Sequence, residues 1–76
     1  MKDLVELIAK KLVEHPEDVQ VAVVDDEQGQ RIELRVNPED MGRVIGKAGK
    51  TDKAMRTLIN SAAAKANVRV SLHIME

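Results

Sequence analysis

The chain contains no cysteine, phenylalanine, tyrosine or tryptophan. Without cysteine there is no disulfide staple and no thiolate zinc site. Without aromatic rings there is no platform for stacking bases, which excludes RNA-recognition-motif modules and most OB-folds. Apolar runs are far too short for a membrane span. The opening "MKDLVELIAKKL" is broken by charges and carries no signal-peptide apolar block, so the expected location is the cytoplasm. With 76 residues the chain supports one domain, residues 1–76, because so short a chain buries only about 60% of its unfolded surface. There is no room for separate catalytic and substrate domains.

What is present reads as globular: 43% hydrophobic and 33% charged residues, enough apolar surface to fold. The net charge is only −1, but it is unevenly spread. Between positions 43 and 56 five cations (Arg43, Lys47, Lys50, Lys53, Arg56) face the single carboxylate of Asp52. The rest of the chain is acidic. Such an asymmetry steers an anion toward one face, although a solvated helix face would look the same by charge alone.

Periodicity gives the element order. Leu4, Leu7, Ile8 and Leu12 fall on one stripe of a helix over 3–14, which ends at His15-Pro16 because the residue before proline leaves the α region. Val19, Val21 and Val23 alternate, as do Ile32, Leu34 and Val36, giving two strands with Arg31, Glu33 and Arg35 outward. The polar "DDEQGQ" at 25–30, with Gly29, makes the hairpin turn. Asn37-Pro38-Glu39-Asp40 starts a helix: a capping side chain, proline at the first position and carboxylates in the first turn. Met41, Val44 and Ile45 form its apolar stripe, with Ile45 assigned to the core. A further helix restarts near Lys50 and buries Met55, Leu58, Ile59, Ala62 and Ala66. Asn67 stops it, and Val68, Val70, Leu72 and Ile74 alternate as a last strand with Arg69, Ser71 and His73 outward. The order α-β-β-α-α-β predicts a two-layer α+β domain, a three-stranded sheet with helices on one face.

The stretch "VIGKAGKT" at 44–51 carries the chemistry. Gly49-Lys50-Thr51 looks like the end of a P-loop, but that motif needs a glycine five positions earlier, where Val44 stands, and a strand before it. A helix-helix corner with Gly46 and Gly49 flanking Lys47-Ala48 fits a backbone clamp better. Glycine permits positive φ and close approach, and exposed N–H groups at a helix start favour anions. A GxxG corner alone is weak evidence and by itself favours a plain helix-turn-helix corner with glycine as a C-cap; its place after a short helix ending in Val-Ile and before a basic helix points to the clamp.

Ile45-Gly46-Lys47-Ala48-Gly49-Lys50, set within this element order, resembles the KH domain family in its type II arrangement. "NPEDMGRVIGKAGKTDKAMRTL" (37–58) and the N-terminal "MKDLVELIAKKLVEHPEDV" extend the similarity over essentially the whole chain, toward the small bacterial single-KH RNA-binding proteins. The resemblance implies single-stranded RNA held in a groove, the GxxG loop clamping about four nucleotides. It places Gly46 and Gly49 at the close approach, Lys47 and Ala48 at the tip, and Arg43, Lys47, Lys50 and Lys53 as phosphate partners. Gly42 has two readings, a bare surface for a nucleotide or tight helix-strand packing. It further implies a role in post-transcriptional regulation or as an RNA chaperone, self-association, and pairing with a larger KH-containing protein. Asp52 departs from the pattern; it serves the helix dipole or repels a phosphate. The rival expectation is a protein-interaction module of KH shape with weak RNA affinity.

Other chemistry has little support. His15 and His73 are far apart on different elements, the acids at 25–27 sit on a hairpin tip, and Ser61 and Ser71 have no recognisable activating base. The expected protein is a binding module without cofactor or metal, not an enzyme.

Overall fold

The computed structural model describes all residues, 1–76, in the order expected: α1 (Lys2–Leu12), β1 (Gln20–Asp26), β2 (Gly29–Arg35), α2 (Met41–Ile45), α3 (Lys50–Lys65) and β3 (Val70–Met75), with single 3-10 turns at Pro16–Asp18, Pro38–Asp40 and Lys47–Gly49. The sheet order is β1-β2-β3. β1 and β2 pair antiparallel, and β2 and β3 pair parallel. Parallel neighbours require a long crossover, and α2, the glycine corner and α3 supply it.

Strand alternation works as the pattern implies on β2 and β3; on β1 Val21 is half-buried, but Val23, expected on the apolar face, is 38% exposed. Val21 pairs with Leu34 and Val23 with Ile32; Ile32 pairs with Leu72 and Leu34 with Ile74. This face meets the helices through a core that includes Val5, Ala9, Val44, Met55 and Ile59. The opposite face presents Arg31, Arg35, Ser71 and His73 to solvent. The hairpin turn is tighter than expected. The strands run to Asp26 and from Gly29, and Asp26 Oδ1 accepts the Gln28 N–H at 2.8 Å. Gly29 has φ +133°, and a Cβ there would lie 2.5 Å from the Arg69 carbonyl, so only glycine lets the last connection pass this close.

Two helices bury different residues from those their largest side chains suggest. α1 buries Val5 and Ala9, while Leu4 and Leu7 are 38% and 55% exposed. Small side chains at Val5 and Ala9 let the helix approach the sheet, and Ile8 and Leu12 pack at the rim of the core. α3 buries Met55, Ile59 and Ala63; Leu58 is 55% exposed and Ala66 faces solvent. β3 begins at Val70, leaving Val68 exposed outside the ladder.

α1 stops at Leu12, before His15, because the next amides turn elsewhere. The carboxylate of Asp40, 1% exposed, accepts the N–H of Glu14 on one oxygen and that of His15 on the other, each at 3.1 Å. Asn37 caps its turn as expected, its side chain accepting the Glu39 N–H at 2.8 Å. Asn37 also donates to Asp18 at 2.9 Å. These bonds lock the end of α1 to the segment that launches α2.

Candidate nucleic-acid interface

α2 is five residues long and ends in Gly46 at φ 78°, ψ 171°. Its amide still closes the helix, donating to the Gly42 carbonyl at 2.8 Å. A Cβ on Gly46 would lie 2.3 Å from Thr51 Oγ1 and 2.7 Å from Thr51 Cβ. The missing side chain therefore makes room for the first turn of α3 and is needed to fold the corner itself. Gly49, at φ 74° and ψ 13°, has nothing within 4 Å of its virtual Cβ. It is needed for its backbone angle and leaves open surface.

Between them Lys47 and Ala48 form an exposed tip. Ala48 is itself left-handed, at φ 56° and ψ 27°, a conformation that costs an L-residue about 1 kcal/mol. The turn is closed by Gly49 N–H to the Gly46 carbonyl at 3.1 Å and by Lys50 N–H to the Lys47 carbonyl. The Lys47 and Ala48 amides donate none of the turn, loop or cap bonds. The tip thus points outward with its donors unclaimed by those bonds, beside the N-terminus of a 16-residue helix, where the dipole favours an anion.

The cations divide into two groups. Lys47, Lys50 and Lys53 are exposed and enter no ion pair. Arg43 is engaged: its Nη2 meets Glu14 Oε1 at 2.7 Å and its Nε lies 3.7 Å from Asp40 Oδ1. Arg56 donates from Nε to Asp52 Oδ1 at 2.7 Å and from Nη1 to the Leu72 carbonyl on β3. Asp52 is therefore a partner of Arg56, four residues on along the helix.

Two residues of α2 differ from their assignments or resolve them. Ile45 is 38% exposed, because Val44 takes the fully buried position and the next residue is turned about 100° away. The core assignment of Ile45 is corrected: it offers an apolar surface beside the corner. Gly42 is exposed, with nothing within 4 Å of a virtual Cβ. Tight helix-strand packing is not what its bare backbone serves.

Farther along α3, from Arg56 onward, a cleft runs between the helix and β3. Its first part, about 210 Å³, is lined by Arg56, Ile59, Asn60, Val70, Ser71 and Leu72. The second, about 430 Å³, shares Asn60, Val70 and Ser71 and reaches Gly29 in the hairpin turn. Asn60 has no role in the sequence reading, and Ser71 is read there only as outward-facing and without an activating base. The usable signal was the four-residue spacing of Asp52, Arg56 and Asn60, which lines one helix face.

Away from this site, the ligand atoms of His15, Glu17 and Asp18 lie within 4.8 Å of one another on the turn after α1. His15 is engaged with Glu39 at 3.3 Å, and Asp18 with Asn37. The hydrogen bond to Glu39 raises the His15 pKa above its ordinary value, which favours a proton over a metal ion. No helix is long and apolar enough to cross a membrane.

The element order agrees with what comparison of the whole chain finds. The family model described as KhpA/KhpB, KH domain, matches residues 2–74. The RNA-binding protein KhpA of Clostridium perfringens is 53% identical over 75 residues, covering 99% of this chain and all of that protein. That of Halalkalibacterium halodurans is 53% identical over the full length of both. That of Aquifex aeolicus is 43% identical over all of this chain and 96% of its own. A match of this extent, laid on this corner, makes the chain a member of the KhpA/KhpB family of KH domains.

Proposed function

We propose that the chain binds single-stranded RNA by gripping the sugar-phosphate backbone at Gly46–Gly49. The observation that carries this is the Lys47-Ala48 tip: exposed, its amides outside the bonds that close the turn, and followed by Lys50 and Lys53, which like Lys47 have no ion-pair partner. The relatives' name, RNA-binding protein KhpA, supports the same reading. Lys47, Lys50 and Lys53 neutralise phosphates, the Lys47 and Ala48 amides donate to phosphate oxygens, and Gly42, Gly49 and Ile45 provide bare and apolar surface for the adjoining nucleotide. Arg43 contributes less than its charge suggests, since Glu14 already compensates it.

The test is the double substitution Lys47→Asp with Ala48→Asp. Aspartate tolerates left-handed geometry better than most residues, so the fold is retained while two negative charges meet the phosphates. Loss of binding to a single-stranded RNA oligonucleotide with an unchanged melting temperature supports the clamp; unchanged affinity contradicts it.

The same reading includes self-association and pairing with KhpB, a larger KH-containing protein, and action in the cytoplasm as a post-transcriptional regulator or RNA chaperone, by binding and not by catalysis. Leu4 and Leu7 on α1, and Leu58 on α3, are exposed and offer apolar side chains for such contacts. Sedimentation of the double variant tests this part: association that survives the loss of RNA binding places the two on different surfaces.

A further inference from the structure

Arg56 spans the cleft between α3 and β3. A guanidinium carries five N–H donors in a fixed plane. Two are engaged, one by Asp52 and one by the Leu72 carbonyl, which leaves three. The side chain is 43% exposed, so these remaining donors are accessible within the cleft, beside Asn60, Val70 and Ser71. Asp52 is itself only 27% exposed and anchors the guanidinium from one turn earlier on the helix.

We propose that Asp52 is a positioning residue for base selection: it holds Arg56 against β3, where the free donor edge reads a base presenting two adjacent acceptors, and it withholds Arg56 from phosphate binding. This rests on the RNA-binding reading above. Cytosine offers O2 and N3 side by side, and guanine offers O6 and N7. Adenine sets its donor amine beside N1 and N7 and has no neighbouring acceptor at N3, and uracil sets N3–H between its two carbonyls. The bases of a single strand are free to present these edges, and paired donors from arginine are the commonest specific contact to guanine. The pair is half-buried and also ties α3 to β3 through the Leu72 carbonyl, so its removal is read by melting as well as by binding. Freed of Asp52, Arg56 becomes another mobile cation one turn beyond Lys53.

The experiment compares the parent with Asp52→Asn and Arg56→Gln, each first shown to be folded by thermal melting. A short randomised single-stranded RNA pool is selected and sequenced. Affinity for one oligonucleotide is then measured against salt. The parent enriches cytosine or guanine at one position by about fivefold or more over adenine and uracil, and which of the two it enriches identifies the base read. Both variants lose that enrichment. Asp52→Asn alone steepens the slope of log K against log salt by about 0.7, the increment of one added phosphate contact on a single strand. A merely structural or dipole role for Asp52 moves neither the base preference nor the slope. Asp52→Asn with parental preference and slope overturns the inference, as does a parent without base preference. A parent that binds no RNA at all overturns the RNA reading itself, and this inference with it.

Discussion

Asp40 Oδ2 accepts the backbone N–H of His15 at 3.1 Å from 25 positions away in sequence. The other oxygen of the same carboxylate holds the Glu14 amide. One buried side chain thus ends α1 and fixes the start of the segment that carries the glycine corner. Asp40→Ala leaves two backbone donors without their charged acceptor. It is expected to lower folding stability by about 2–3 kcal/mol, read as an earlier urea midpoint. Asp40→Asn costs less, because one carbonyl oxygen remains.

His15 also ties this junction together through its hydrogen bond with Glu39, 3.3 Å away. Its hydrogen bond to Glu39 raises its pKa, a direction reinforced by Asp40 and Glu17 and opposed by partial desolvation. A group whose folded pKa lies above its unfolded value, about 6.5, stabilises the fold fully below that value and loses the effect as pH rises through the folded pKa. The melting temperature should therefore fall slightly between mildly acidic and mildly alkaline buffer on account of this group. His15→Gln removes that part of the pH dependence; an identical pH profile in the variant contradicts the assignment.

The glycines should separate by mechanism. Gly46→Ala drives a methyl into Thr51 and strains a positive φ, costing about 2 kcal/mol or more. Gly49→Ala meets no neighbour and costs only its backbone angle, about 1 kcal/mol. Gly42→Ala, on an exposed helical position with open space around it, should raise stability by about 1 kcal/mol while weakening RNA binding if a nucleotide lies against it. Thermal melts and RNA titrations on the three variants check the order.

Salt dependence tests which cations touch phosphate. Three contacts, from Lys47, Lys50 and Lys53, give a slope of about −2 in log K against log salt. Lys50→Gln or Lys53→Gln should flatten it by about 0.7. Arg43→Gln should leave it nearly unchanged, because Glu14 at 2.7 Å already balances that charge. An Arg43 variant as flat as the Lys50 variant would reverse this division.

Much of this was legible before any coordinates. Alternating Ile32–Leu34 and Leu72–Ile74 marks one buried face on each of these strands, whereas Val23 on β1 stays exposed; Asn37-Pro38 announces its turn through local chemistry. The glycine corner is legible because its backbone demands are local too. What sequence hides is decided by distant partners. α1 carries two overlapping apolar stripes, and the bulkier one, with Leu4 and Leu7, is not the one buried; the close approach to the sheet favours Val5 and Ala9. Asp40 reads as a helix-start carboxylate, and nothing local reveals that it crosses to Glu14 and His15. Arg43 reads as a free cation for the same reason, since Glu14 is 29 positions away; the Asp52–Arg56 pair is local and legible, but its anchor at the Leu72 carbonyl, 16 positions on, is not.

The most direct measurement follows the backbone amide resonances of the isotope-labelled protein as a single-stranded RNA oligonucleotide is added. The clamp predicts that the largest shifts fall on Gly46 through Lys50, with smaller ones along the cleft at Arg56, Asn60 and Ser71. Shifts confined to α1 around Leu4 and Leu7, or to the open sheet face at Arg31 and His73, with the Lys47 and Ala48 amides unmoved, would contradict it.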